Sequence, residues 1–161
     1  RQLQPLRGEM ELGGFVTRVW RLGDDPRQLL QVSADLLRGT GRGHGGWVGS
    51  LRMQAFVPVS RAVLLNAGLG RGGANGEFTA AHWGVDATDA AVFPSLGGQG
   101  FRPGGGWTDW RVTYGAVVHL SPQWHLVAGG RWLQLDRRIA ASPIVAERGA
   151  RSATKIGRAH V

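Results

Sequence analysis

The feature that most constrains this chain is a pair of consecutive runs, 107–120 and 124–135, that alternate with a period of two. In the first, Trp110, Val112, Tyr114, Ala116, Val118 and Leu120 share one parity. Asp109, Arg111, Thr113, Gly115, Val117 and His119 share the other. In the second, Trp124, Leu126, Ala128, Gly130 and Trp132 oppose His125, Val127, Gly129 and Arg131. A strand sends successive side chains to opposite faces, so each run predicts a strand with one apolar and one mostly polar or small face. Ser121-Pro122-Gln123 between them is a tight turn, with Pro at its second position. The rings sit mainly towards the strand ends, as in the aromatic girdles of outer-membrane barrels.

Four earlier segments carry the same pattern. They are 10–22 (Leu12, Val16, Trp20 and Leu22 on one side, interrupted by Arg18), 27–38, 47–59 and 62–70. The connections run short, long, short, long, short, long. An up-and-down meander places every long one on the same rim, the arrangement of short periplasmic turns and longer extracellular loops. Segments of 9–13 residues also suit tilted membrane strands, which need about 9–11. The fold class expected is therefore all-β: an antiparallel up-and-down transmembrane β-barrel of the outer-membrane type. It is present in part, as about six strands in an open sheet, because a closed barrel needs about eight. The free edges are expected at 10–22 and 124–135. Within the long 71–106 connection, Asp86 and Asp89 predict a helix start at 86–91. Residues 136–151 read as a connection.

Composition narrows the alternatives. No apolar run reaches the roughly 18 residues of a transmembrane helix, and a mean hydropathy of −0.14 is what alternation averages to. The net charge of +8 comes from 18 Arg and one Lys spread along the chain, which points to coding bias rather than a polyanion site, so no nucleic-acid partner is expected. Arg71-Gly-Gly73 and Arg42-Gly-His44 are isolated turn sequences rather than RGG repeats. The absence of Cys fits passage through an oxidising periplasm. The chain has no initiator Met, and Arg1–Gly8 reads as the remainder of a longer segment. Lys155-Ile-Gly-Arg-Ala-His-Val161 has no strand pattern and can be encoded by AAG ATC GGA AGA GCA CAC GTC, a common sequencing-adapter sequence. Residues 1–154 are thus expected to be a partial barrel and 155–161 a non-native tail, with no meaning attached to Arg158 and His160.

Several motifs occur in an order that resembles the MltA-interacting protein (MipA)/OmpV family. They are Phe101-Arg-Pro-Gly-Gly-Gly-Trp-Thr-Asp109, the strand through Gly115, Leu120-Ser-Pro-Gln-Trp-His-Leu126 and Ala141-Ser-Pro-Ile-Val-Ala-Glu-Arg-Gly149. Gly43-His-Gly-Gly46 and Trp83-Gly-Val85, placed before a short helix, are similar too. The resemblance covers most of residues 9–150. It implies an outer-membrane protein of the bacterial cell, a lipid environment and, for some members, a scaffolding role between a lytic transglycosylase and peptidoglycan synthesis. The family's final strand, which closes on an aromatic, is absent here, so the chain reads as a fragment.

Site residues follow from parity. Arg52, Arg111, Arg131 and His119 are the lumen-facing candidates. Trp47, Trp110, Tyr114, Trp124 and Trp132 are the lipid-facing aromatic candidates. His119-Leu-Ser121 puts an imidazole and a hydroxyl on one strand face, but Asp109 and Asp136 lie towards the other rim, so no nucleophilic site is expected. His44, His82 and His125 lack metal-ligand spacing, and the glycine runs lack the Lys-Ser/Thr of a phosphate loop. The expected function is a non-enzymatic scaffold without cofactor or metal, acting through its rims on periplasmic peptidoglycan-processing proteins. The alternative is a passive or ligand-accepting pore in which the inward arginines act.

Overall fold

The structure, a computed structural model, describes residues 10–40 and 45–157, the last four by backbone alone. Seven strands form one antiparallel sheet in chain order: β1 Glu11–Arg21, β2 Leu29–Gly39, β3 Trp47–Pro58, β4 Val63–Ala74, β5 Gly106–Ser121, β6 Trp124–Leu135 and β7 Gly149–Gly157. Every neighbour in the sheet is a neighbour in sequence, so the topology is a plain meander. β1 and β7 do not pair, and the sheet is open.

The register sorts the side chains. Residues opposite one another on neighbouring antiparallel strands share a face. One row across the sheet is therefore Val16, Ala34, Leu51, Arg71, Trp110 and Gln134, and the next is Arg18, Val32, Met53, Leu69, Val112 and Trp132. On the reverse face run Thr17, Ser33, Arg52, Gly70 and Arg111, then Gln31, Gln54, Gly68, Thr113, Arg131 and Ser152. The apolar face is the exposed one. Leu36, Leu51, Met53, Val57, Leu65, Leu69, Trp110 and Tyr114 all stand open, Tyr114 by 58%. A sheet folded in water would show the opposite.

The buried apolar side chains lie in the connections instead. Phe78, Val85, Ala90 and Ile139 come from 75–105 and 136–148, the two long segments on one rim. Helix α1, Gly76–Trp83, starts where Asn75 Oδ1 accepts from the Phe78 N–H at 3.1 Å. The same oxygen accepts from the Trp47 N–H at 2.9 Å, which ties the helix start to β3. Helix α2, Arg137–Ala140, is capped by Asp136, whose Oδ1 accepts from the Arg138 N–H. The Arg138 guanidinium reaches the carbonyls of Gly105 at 2.5 Å and Trp107 at 3.0 Å, and Ser142 Oγ donates to the Trp83 carbonyl at 2.6 Å. The two long connections are thereby stitched into a platform.

Three expectations need correction. Among the described residues the sheet has seven strands, and its second edge is β7, not the strand at 124–135. β7 carries the backbone of 155–157 into the ladder as far as Gly157 opposite Leu126; 158–161, with Arg158 and His160, lie outside the described residues. An unpaired β6 edge offers a row of free N–H and C=O groups, and that demand forms β7 without an apolar pattern in its sequence. The first α-helix lies at 76–83 rather than 86–91: the Asp86 carbonyl accepts turn bonds from the Asp89 and Ala90 N–H groups, its carboxylate faces Arg102, and a short 3-10 turn follows at Ala90–Val92. Finally, β4 runs on to Ala74 through Gly70–Gly73, four residues beyond the segment read from the sequence.

Candidate functional site

The polar face carries a continuous hydrogen-bonded band. On β5 a bulge places Thr108 as an extra residue between the Gly72–Asp109 and Gly73–Trp107 pairs. Bulges re-aim side chains, and this one turns the Thr108 hydroxyl onto Asp109 Oδ2 at 2.9 Å. Arg111 closes on the same carboxylate from two residues along. Its Nη2 donates to Oδ2 at 3.0 Å, and its Nε lies 2.6 Å from Oδ1, out of line for a hydrogen bond but well placed as an ion pair. Asp109 is 6% exposed, so this pair is largely withdrawn from water. Gly72 makes room for it, because a β-carbon there would meet Asp109 Oδ2, Thr108 Oγ1 at 2.7 Å and Arg111 Nη2 at 2.9 Å.

Across β2 and β3 the motif recurs in looser form. Asp35 Oδ1 accepts from Ser50 Oγ at 2.6 Å and from Arg52 Nη2 at 3.1 Å, with the Arg52 side chain mostly exposed. Thr17 and Gln31 both donate to Ser33 Oγ, and Gln54 Nε2 donates to Asn66 Oδ1. Chemically the band holds two neutralised arginine–aspartate pairs and hydrogen-bonded hydroxyls and amides. Below it, towards the short-turn rim, Leu29, Phe56, Leu64, Val117 and Val127 occupy the same face, so the polar character is a belt and not the whole surface.

The structure places Arg52, Arg111 and Arg131 within this belt, on adjacent rows. His119 lies apart, at the short-turn end, directly across the hairpin from His125. The two Nδ1 atoms are 2.7 Å apart, and the rings meet nearly edge to face at 83°. At that separation one Nδ1 carries the proton and the other accepts it. Sequence spacing could not show this pairing, because the two histidines are six residues apart and meet only through the β5–β6 register. The carboxylate nearest in sequence to His119 and Ser121 is Asp109, ten and twelve residues up β5, and it is held by Arg111 and Thr108.

The opposite face carries Trp47, Trp110, Tyr114, Trp124 and Trp132, each by its position in the register or alternation. Three arginines on this face lie against rings: Arg18 over Trp20 at 5.5 Å, Arg38 over Trp47 at 5.3 Å, and Arg71 over both Trp107 and Trp110 at 4.5 and 4.3 Å. Alternation alone had marked Arg18 as a break in the pattern; the cation–π pairs explain how such a cation is accommodated.

Comparison with known families now bears on this geometry. The family model of the MltA-interacting protein MipA matches residues 1–159. The chain belongs to the MipA family. That is an outer-membrane β-barrel family, and an open antiparallel meander with an exposed apolar face is a portion of such a wall. No curated protein and no solved structure matches the chain. Among the described residues no helix is long and apolar enough to cross a membrane, and MipA-type barrels cross with strands.

Proposed function

We propose that this chain forms part of the wall of an outer-membrane barrel that acts as a non-enzymatic scaffold for periplasmic peptidoglycan-processing proteins. The observation that carries the reading is the inverted sheet, with apolar side chains exposed and two arginines of the other face, Arg52 and Arg111, paired with aspartates. Trp47, Trp110, Tyr114, Trp124 and Trp132 then face lipid, and Arg52, Arg111, Arg131 and His119 face the interior. The platform built from 75–105 and 136–148 is extracellular, and the turns at 22–28, 59–62 and 122–123 are periplasmic.

The family is described by its interaction with MltA, a murein hydrolase. A partner in the periplasm meets the short-turn rim. Two of those turns are held together: Arg27 pairs with Asp25 at 2.8 Å and donates to the carbonyls of Ser60 and Arg61 at 3.2 and 3.1 Å. A locked pair of turns is a preformed surface, which lowers the ordering cost of binding. The inward arginines support selective anion passage less well, because Asp35 and Asp109 neutralise two of them.

The test uses the full-length protein in intact cells. A photo-crosslinking residue at Arg61 or Gln123 is expected to capture a lytic transglycosylase, and one at Gly98 is not. An epitope inserted after Gly98 is expected to bind antibody on unbroken cells, and one after Gln123 only after permeabilisation. Capture from Gly98 alone, or the reverse epitope pattern, would reject the assignment of rims.

A further inference from the structure

We propose that the apolar face binds a phosphorylated glycolipid of the outer leaflet at the long-connection rim, its phosphates on Arg38 and Arg71 and an acyl chain in the recess between Trp47 and Trp107. This rests on the reading above, in which that face meets lipid and that rim is extracellular.

The first observation is an asymmetry of charge. Of the three arginines in the polar belt, Arg52 and Arg111 each have an aspartate, and Arg131 has none among the described residues. On the apolar face the register positions of β1 to β6 hold Arg18, Arg38 and Arg71 and no Asp or Glu. Among the described residues Arg38 and Arg71 have rings as neighbours and no carboxylate. Arg71 is the more demanding of the two. It lies three residues before the end of β4, roughly 10 Å along the strand at about 3.3 Å per residue. Its Nε is buried without a hydrogen-bond acceptor. A cation that far onto a lipid-facing surface is costly unless an anion comes to it. Trp107 and Trp110 lie 4.5 and 4.3 Å from the guanidinium carbon, and with Nε buried the two terminal nitrogens are the donors left for a phosphate, which an Arg can bind in bidentate fashion.

The second observation is a hole in the apolar surface beside these cations. Gly49 and Gly73 sit opposite one another on β3 and β4, so two adjacent positions have no side chain. The recess over them measures about 350 Å³ and is walled by Leu36, Trp47, Leu51 and Trp107. Such a volume lies at the lower end of small-ligand pockets, about 300–1,000 Å³. Arg38 packs on the Trp47 wall, and Arg71 on the Trp107 wall. An anionic headgroup joined to an acyl chain satisfies both features at once. A free anion would leave the recess empty, and an uncharged lipid would leave the arginines unpaired.

The test uses the full-length barrel refolded in detergent, with native mass spectrometry and tryptophan quenching by brominated lipid as readouts. The probes are a bis-phosphorylated glucosamine-based glycolipid, its dephosphorylated form, and phosphatidylglycerol. The wild-type barrel is expected to bind the phosphorylated glycolipid at least ten-fold more tightly than the other two. Arg38→Ala/Arg71→Ala is expected to lose that preference and Arg71→Lys to retain part of it. Gly73→Leu, which fills the recess, is expected to weaken binding about five-fold while the band stays heat-modifiable. Equal binding of phosphorylated and dephosphorylated glycolipid by the wild type would overturn the proposal without any variant having to fold. Equal binding of phosphatidylglycerol would overturn the assignment to a glycolipid. A nitroxide at Ala116 separates the failures: if it is not in lipid, the underlying reading falls; if it is and the phosphate preference is absent, only this site does.

Discussion

Substituting Gly130 by Ala tests the packing of the apolar face at a single atom. Gly130 lies directly across from Tyr114. A β-carbon built on it would come 2.5 Å from the tyrosine Oη, 2.6 Å from Cζ and 3.0 Å from Cε2. The ring therefore lies across the neighbouring strand and covers the glycine, a pairing that substitutes ring contact for the missing side chain. Ordinary contact begins near 3.4 Å, so Ala forces the ring off its neighbour. Overpacking of this kind costs about 1–3 kcal/mol. Against it stands the lower unfolded-state entropy of Ala, about 0.4–1 kcal/mol in its favour. The net expectation for Gly130→Ala is a loss of about 1–2 kcal/mol. In a Tyr114→Ala background the clash is gone, and Gly130→Ala becomes neutral or slightly stabilising. Equilibrium urea unfolding of the full-length barrel in lipid vesicles, followed by tryptophan fluorescence, gives the four stabilities of the cycle. A coupling within about 0.5 kcal/mol of zero is what independent sites give. That result would mean the ring does not rest on Gly130, and the argument would be wrong.

Nitroxide labels at Ala116 and Val117 are expected to respond oppositely to lipid-soluble oxygen, and equal responses would reject the assignment of faces. Asp109→Ala strands Arg111 on a withdrawn surface and is expected to cost about 1–3 kcal/mol, whereas Asp35→Ala, whose partner Arg52 is mostly exposed, costs less; equal losses by urea unfolding would contradict the burial argument. Hydrogen bonding from the Arg27 side chain, then from its backbone N–H, holds the Asp25 carboxyl below the ordinary value of 3.8. Its contribution to the turn is thus complete above that value and disappears as pH falls through the lowered one. Amide exchange at Arg27 should accelerate below about pH 3.8 and lose this dependence in Asp25→Asn; protection unchanged to pH 2 would count against it. Arg138→Ala is expected to raise amide exchange in 104–107 and 136–142 together, since one guanidinium joins the two long connections; an effect confined to 136–142 would show that the platform is not coupled.

Six strands were legible because each carries a run of apolar residues on one parity, and the ladder enforces that parity once one face is set. The rest was hidden for identifiable reasons. Gly149-Ala-Arg-Ser-Ala153 opens β7 without an apolar stripe, so only the open edge of β6 reveals it. Gly70-Arg-Gly-Gly73 extends β4 with residues that read as a turn, and their value lies in what they leave empty: space for Asp109 at Gly72 and for the recess at Gly73. Asn75 was passed over inside a glycine-rich stretch, although its cap sets α1 and its link to Trp47 sets where the platform meets the sheet. The arginines were assigned to faces by parity. Whether each had an aspartate, a tryptophan or neither depended on cross-strand register, which a single chain read in order does not contain.

That register makes the two faces follow different rules with the same residue. Where Arg111 points to the polar side, an adjacent carboxylate and hydroxyl satisfy it, and a glycine on the next strand clears the space. Where Arg71 points to the apolar side, two indoles flank it and no carboxylate is in the row. An aspartate there would neutralise the charge but add a second group to be desolvated, and an ion pair facing hydrocarbon recovers little of that cost. Under the proposed assignment of that face to lipid, rings add none, because they bring no charge to be desolvated. The arrangement therefore leaves the terminal nitrogens of the cation without a structural counter-ion while making its presence tolerable. A structural counter-ion would have removed the one property that distinguishes these arginines from their paired counterparts on the other face.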